Sequence, residues 1–87
     1  MFTANATIKN PTGLHARPAA QLVALCKKFS SDLQITDASG NKFDPKSIIS
    51  VLSAGIKQGS DVQVTATGAD EDDAGGQIVG FINGLAE

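Results

Sequence analysis

Every strand-like stretch of this chain has one apolar and one polar face, and that feature limits the possible folds most. From Phe2 to Lys9, the side chains of Phe2, Ala4, Ala6 and Ile8 point one way, and Thr3, Asn5, Thr7 and Lys9 the other. Leu33 and Ile35 alternate with Gln34 and Thr36, and Val62, Val64 and Ala66 with Gln63, Thr65 and Thr67. Lys42-Phe43-Asp44 reads as a further, short strand after the turn Ala38-Ser39-Gly40-Asn41. Strands of a parallel sheet are buried on both faces and read as continuous apolar runs. One wet face predicts an antiparallel sheet with its helices on a single side.

The period changes between these strands. After the turn Asn10-Pro11-Thr12-Gly13, a helix is predicted from Ala16 to about Phe29, with Ala19, Leu22, Val23 and Cys26 on one stripe. A short helix is predicted from Ser47 to about Ala54, ended by Gly55. A last helix runs from Asp70 to Leu85, with Ala74, Ile78, Phe81, Ile82 and Leu85 on its buried face. Gly75, Gly76 and Gly80 should weaken it by about 1 kcal/mol each. The order is β-α-β-β-α-β-α, an α+β chain, and the pattern leaves the strand order open.

With 87 residues, 41% of them hydrophobic and 18% charged, the chain is expected to form one globular domain over 1–87. Its longest unbroken apolar run, Leu22 to Cys26, is too short to span a bilayer, so no membrane insertion is expected. No charge precedes Lys9 and no apolar core follows, so no secretory signal is expected. A single cysteine forms no internal disulfide, which suits the cytoplasm. The net charge of −2 disfavours a nucleic-acid partner.

The two long helices begin differently. The last starts with Asp70, Glu71, Asp72 and Asp73: Asp70 is placed to cap, and the others complement the helix dipole. The first starts with Leu14-His15-Ala16-Arg17-Pro18. It has no carboxylate, and Arg17 puts a cation where the dipole disfavours it by about 0.3–1 kcal/mol. The backbone N–H groups of Ala16 and Arg17, the guanidinium and the dipole together suit an external anion. Pro18 fits the first turn, where its missing N–H is no loss. His15 stands at the mouth of this site, with a nitrogen lone pair that could attack phosphorus. The plainer alternative is an exposed capping histidine beside an incidental arginine. A second histidine, a Cys/His ligand spacing and a general base are all lacking, so neither a metal site nor a cofactor nor a nucleophilic triad is expected.

Three further features carry two readings each. On the second helix, Ile48, Ile49 and Leu52 occupy one arc, and Val51 and Ala54 another. Only one arc can face a sheet, so the other is an exposed patch for a partner or core near a helix end. Ser47 is the N-cap of that helix, and a phosphate on its hydroxyl would be tolerated there. On the first helix, Ala20, Ala24, Lys27 and Lys28 flank the core stripe, as a flat basic docking surface or as a solvated face. Cys26, on the stripe itself, reads as a small core residue.

The stretch Thr12-Gly13-Leu14-His15-Ala16-Arg17-Pro18-Ala19-Ala20 closely resembles the active-site signature of the HPr family. This family comprises the histidine-containing phosphocarriers of the bacterial phosphoenolpyruvate-dependent sugar phosphotransferase system. The segment from Lys46-Ser47-Ile48-Ile49 to Gln58-Gly59 is similar to the family's second-helix region with its regulatory serine, and Thr67-Gly68-Ala69-Asp70-Glu71 to the entry of its last helix. The resemblance implies an open-faced β-sandwich, four antiparallel strands with three helices on one face. It implies that His15 accepts a phosphoryl group on Nδ1 from enzyme I and passes it to enzyme IIA domains, in a carrier without turnover of its own. Arg17 and the amides of Ala16 and Arg17 would steady the phosphate. Ala20, Ala24, Lys27, Ile48, Ile49 and Leu52 would form the docking face, and Ser47 would be the residue modified by an HPr kinase/phosphorylase. A monomer is expected. One extra residue between Asp37 and Lys46 distinguishes the chain from many members, and Ala24 and Leu25 stand where many carry charge.

Two other functions stay open at this point. A nitrogen-branch carrier would use the same chemistry with other partners, although Leu14 and the Ser47 segment look more like the sugar branch. A regulatory binding protein would dock without using its histidine, against which the intact His15-Arg17-Pro18 group speaks.

Overall fold

The computed structural model describes residues 1–85; residues 86 and 87, the end of the expected domain span, lie outside the described residues. The elements are β1 (Phe2–Thr7), α1 (Ala16–Cys26), β2 (Asp32–Thr36), β3 (Lys42–Phe43), α2 (Ile48–Ala54), β4 (Asp61–Thr67) and α3 (Glu71–Asn83). The four strands form one antiparallel sheet in the order β1-β4-β2-β3. Ala4 faces Val64 across one pairing, and Ile35 faces Val64 across the other. This puts Ala6, Leu33, Ile35, Val62, Val64 and Ala66 on a single buried face, while Thr3, Asn5, Gln34 and Gln63 stay in solvent. The three helices cover the buried face: α3 lies over β1 and β4, α2 lies beside β3, and α1 packs against both α2 and α3. The result is the open-faced sandwich that alternation requires.

α1 buries Pro18, Ala19, Leu22, Val23 and Cys26, the expected stripe with Pro18 added. It ends at Cys26 rather than near Phe29. The reason lies in α3. The N–H groups of Ser30 and Ser31 donate to the two carboxylate oxygens of Asp70, both at 2.9 Å. Backbone committed to Asp70 cannot continue the helix, so the chain tightens through Lys28 N to Leu25 O and Phe29 N to Cys26 O. Asp70 is accordingly the positional N-cap of α3, but its side chain makes no capping bond. This corrects the expectation that Asp70 serves its own helix. Glu71 works there instead, accepting from the Gly68 N–H at 3.3 Å.

β3 stops at Phe43 because the Asp44 N–H leaves the ladder for the Ser50 hydroxyl, 2.9 Å away. β1 stops at Thr7, although Ile8 still exchanges backbone bonds with Ser60 and Gly59. Gly75 has a structural reason that its helix position does not reveal. A side chain there would run into the Phe2 ring, which lies directly against the α3 backbone. Gly76 and Gly80 face open space.

Candidate functional site

The approach to His15 is pinned before the histidine is reached. Asn10 is buried and donates from Nδ2 to the Gly13 carbonyl at 2.8 Å and to the Thr12 hydroxyl at 3.2 Å. Gly13 has φ +65°, and a Cβ there would strike the Ile56 carbonyl and lie 2.9 Å from the Lys57 Cα. Only glycine meets both demands. The Leu14 N–H then donates to the Ile56 carbonyl at 3.1 Å, and the Leu14 side chain is fully buried. The turn is therefore held against the loop that follows α2.

His15 comes next, exposed, in extended backbone at φ −127° and ψ 163°. Ala16 follows at φ +49°, the only non-glycine residue of positive φ among the described residues. A left-handed backbone costs an alanine about 1–2 kcal/mol, and strain of this kind gathers at functional sites. The bend carries the chain from the extended His15 into α1. The first helical bond, from Ala19 N to His15 O, is stretched to 3.5 Å. In the first turn, N–H groups have no carbonyl of their own helix to meet. Among those residues stands the exposed Arg17, in a turn that contains no acidic residue. Pro18 and Ala19 are buried and anchor the turn from beneath. Nothing in the residue types around Ala16 signals its strained backbone.

The arcs of α2 divide cleanly. Val51 is fully buried and Ala54 half-buried, while Ile48, Ile49 and Leu52 are 39%, 75% and 40% exposed. Ala20, Val23, Ala24 and Lys27 of α1 and Ile48 of α2 line a largely apolar hollow of about 320 Å³. Ile49 and Leu52 are exposed on α2 but do not line that hollow. Ser47 caps α2, its hydroxyl accepting from the Ser50 N–H at 3.3 Å. A hollow of similar size, about 310 Å³ between Asp37, Phe43 and Ser53, contains none of the expected site residues.

Charge is sorted over this surface. Residues 1–31 and 45–60 contain Lys9, Arg17, Lys27, Lys28, Lys46 and Lys57 but no aspartate or glutamate. α1, α2 and the residues flanking them in sequence thus contribute only basic charges of their own, which counting charges over the whole chain conceals. Cys26 lies beneath it, and burial pushes its thiol up to about 12. It is a core residue. The described residues include no cluster of three or more histidine, cysteine, aspartate or glutamate side chains able to hold a metal. No helix among them is long and apolar enough to cross a membrane.

Comparison with known proteins agrees with this geometry. Residues 2–84 match the family model described as the PTS HPr component phosphorylation site. Phosphocarrier protein HPr of Mycoplasma genitalium is 44% identical over 69 residues, covering 79% of this chain and 78% of that protein. The structure of HPr-C-His from Thermoanaerobacter tengcongensis matches with a TM-score of 0.91 at 39% identity, over 100% of both chains. A structure of an HPr dimer from the same organism matches with a TM-score of 0.73 at 41% identity, over 94% of this chain and 93% of that one. With a family match across nearly its whole length, the chain belongs to the HPr family, phosphocarriers of the phosphotransferase system rather than enzymes with turnover of their own.

Proposed function

We propose that this chain relays a phosphoryl group from phosphorylated enzyme I to sugar-specific enzyme IIA domains through His15. The observation that carries the reading is the exposed, extended His15 directly ahead of a strained helix start that holds Arg17 and no acid. The Nδ1 lone pair of His15 forms the new N–P bond as the donor's bond to phosphorus breaks. The dianionic group then rests near the guanidinium of Arg17 and the N–H groups of Ala16 and Arg17, at the positive end of α1. The reverse step delivers it to the acceptor histidine of a IIA domain.

Docking falls to Ala20, Ala24, Lys27, Ile48, Ile49 and Leu52. Apolar exposure on α2, beside Lys27 of α1, fits partners with an apolar patch and an acidic rim. Ser47, at the edge of that patch, is the residue that an HPr kinase/phosphorylase would modify. In this reading the relay works in the cytoplasm, on one folded domain acting as a monomer.

Incubation with enzyme I and phosphoenolpyruvate, followed by mass measurement, tests the reading. The chain should gain one acid-labile phosphoryl group, His15→Ala should gain none, and Arg17→Ala should gain it more slowly. Acceptance by His15→Ala would overturn the assignment. Failure of the native chain would point to a purely regulatory binding protein. Transfer onward to nitrogen-branch rather than sugar-specific IIA domains would place the chain in that branch.

A further inference from the structure

Lys46 is half-buried, and its ammonium group donates to two backbone carbonyls beyond the end of α1, Phe29 O and Ser31 O, each at 2.9 Å. Its own backbone N–H is held by the Asp44 carboxylate at 2.9 Å, and the next residue, Ser47, donates to the Asp44 carbonyl at 3.1 Å. The far side of the same corner is held by Asp70, which accepts from the N–H groups of Ser30 and Ser31. The corner after α1 is therefore fixed, and Lys46 ties the start of α2 to it.

Ile48 begins α2 two residues after this tie, and it forms the α2 wall of the hollow whose other wall is Ala20, Val23, Ala24 and Lys27. α2 is only seven residues long, and Val51 is its one fully buried residue. So short an element, with Val51 as its one fully buried side chain and Ile48 and Leu52 only partly covered, leaves its distance from α1 to be set in part from its flank. We propose that Lys46 is a positioning residue for docking: by bonding Phe29 O and Ser31 O it sets the spacing between α1 and α2, and so the shape of the surface that receives enzyme I. The proposal rests on the function given above. It assigns Lys46 a role through backbone carbonyls of this chain, not through contact with phosphate or partner. A lysine suits the role because its flexible stem reaches across while one ammonium serves both acceptors. Asp44, two residues before Lys46, engages the Lys46 N–H with its carboxylate rather than the ammonium.

The test is steady-state transfer from enzyme I to the native chain and to Lys46→Met, which keeps the stem and loses the donors. Parallel runs use phosphoramidate, a small phosphoryl donor that needs no docking surface. The KM of enzyme I for Lys46→Met should rise about tenfold with kcat unchanged. Acceptance from phosphoramidate at His15 should stay as in the native chain. Amide resonances of Ala20, Ala24, Ile48 and Ile49 should shift in the free variant. A native KM, with or without a lower melting temperature, would overturn the proposal and leave Lys46 a structural residue only. A raised KM with unshifted resonances would also overturn it, since Lys46 would then touch the partner directly. Should Lys46→Met fail to fold, Lys46→Gln gives the same readout with a smaller expected rise, and a native KM overturns the proposal there too. If the native chain takes phosphate from neither donor, the proposed function itself fails, and the inference fails with it.

Discussion

Asp70, the residue before α3, holds Ser31 at the opposite end of the corner that follows α1: Oδ1 accepts from both the N–H and the hydroxyl of Ser31, and Oδ2 from the N–H of Ser30. Ser31 is buried, so these donors would otherwise lack partners. The link joins α3 to α1 across 39 residues of chain. It ties down the corner behind the proposed docking face.

That link should make stability depend on pH in a defined window. The Ser31 hydroxyl first, then the Ser30 N–H, lowers the Asp70 pKa below its ordinary 3.8. A carboxylate depressed on folding stabilises fully above its unfolded pKa, and the contribution fades as pH falls through the folded value. Asp70→Asn should therefore melt lower than the native chain at about pH 7, and the gap should narrow at about pH 2. Thermal melts of both proteins across that range check it. A gap that does not change with pH would mean that charge plays no part.

The glycines of α3 should respond oppositely to alanine. Gly76→Ala faces open space in ordinary helical backbone and should stabilise by about 0.5–1 kcal/mol. Gly75→Ala gains the same helix propensity but drives its methyl into the Phe2 ring, an overpacking that costs about 1–3 kcal/mol. The clash should prevail. Urea melts decide, and adding Phe2→Ala to Gly75→Ala should cost less than the two single changes summed.

Ser47→Asp should separate docking from folding. Aspartate also caps a helix, so the melt should stay within about 0.5 kcal/mol of native. Beside Ile48 and Ile49, the new charge must be desolvated when a partner's apolar surface arrives. Transfer from enzyme I should slow, with the loss in KM. Equal rates in the two proteins would remove the α2 patch from the docking face.

Ile49, 75% exposed, should matter for partners and hardly at all for folding. Ile49→Asp should change stability by less than about 0.5 kcal/mol, because little apolar contact is lost. It should raise the KM of enzyme I at least as much as Ser47→Asp does. Steady-state transfer from enzyme I, read beside thermal melts, measures both.

What the sequence determined by itself was periodic or local. Alternation in residues 2–9, 33–36 and 62–67 placed one face of each strand in water, which demands helices on the other face alone. The acid-free start of α1, with His15 and Arg17, marked a candidate anion site because dipole and charge act within one turn. Apolar residues on two arcs of α2 marked a surplus that cannot all be buried. The tertiary structure decided what depends on residues far apart in the chain. It set the strand order β1-β4-β2-β3, which alternation cannot distinguish from others. It sent Asp70 to Ser30 and Ser31 instead of to its own helix, and thereby ended α1 at Cys26. It laid Phe2 on Gly75, directed the Lys46 ammonium to Phe29 O and Ser31 O, and turned Ala16 through φ +49°. The contacts pair distant segments, and the residue types along either segment alone do not specify them; the Ala16 strain is local, but no residue type around it signals it.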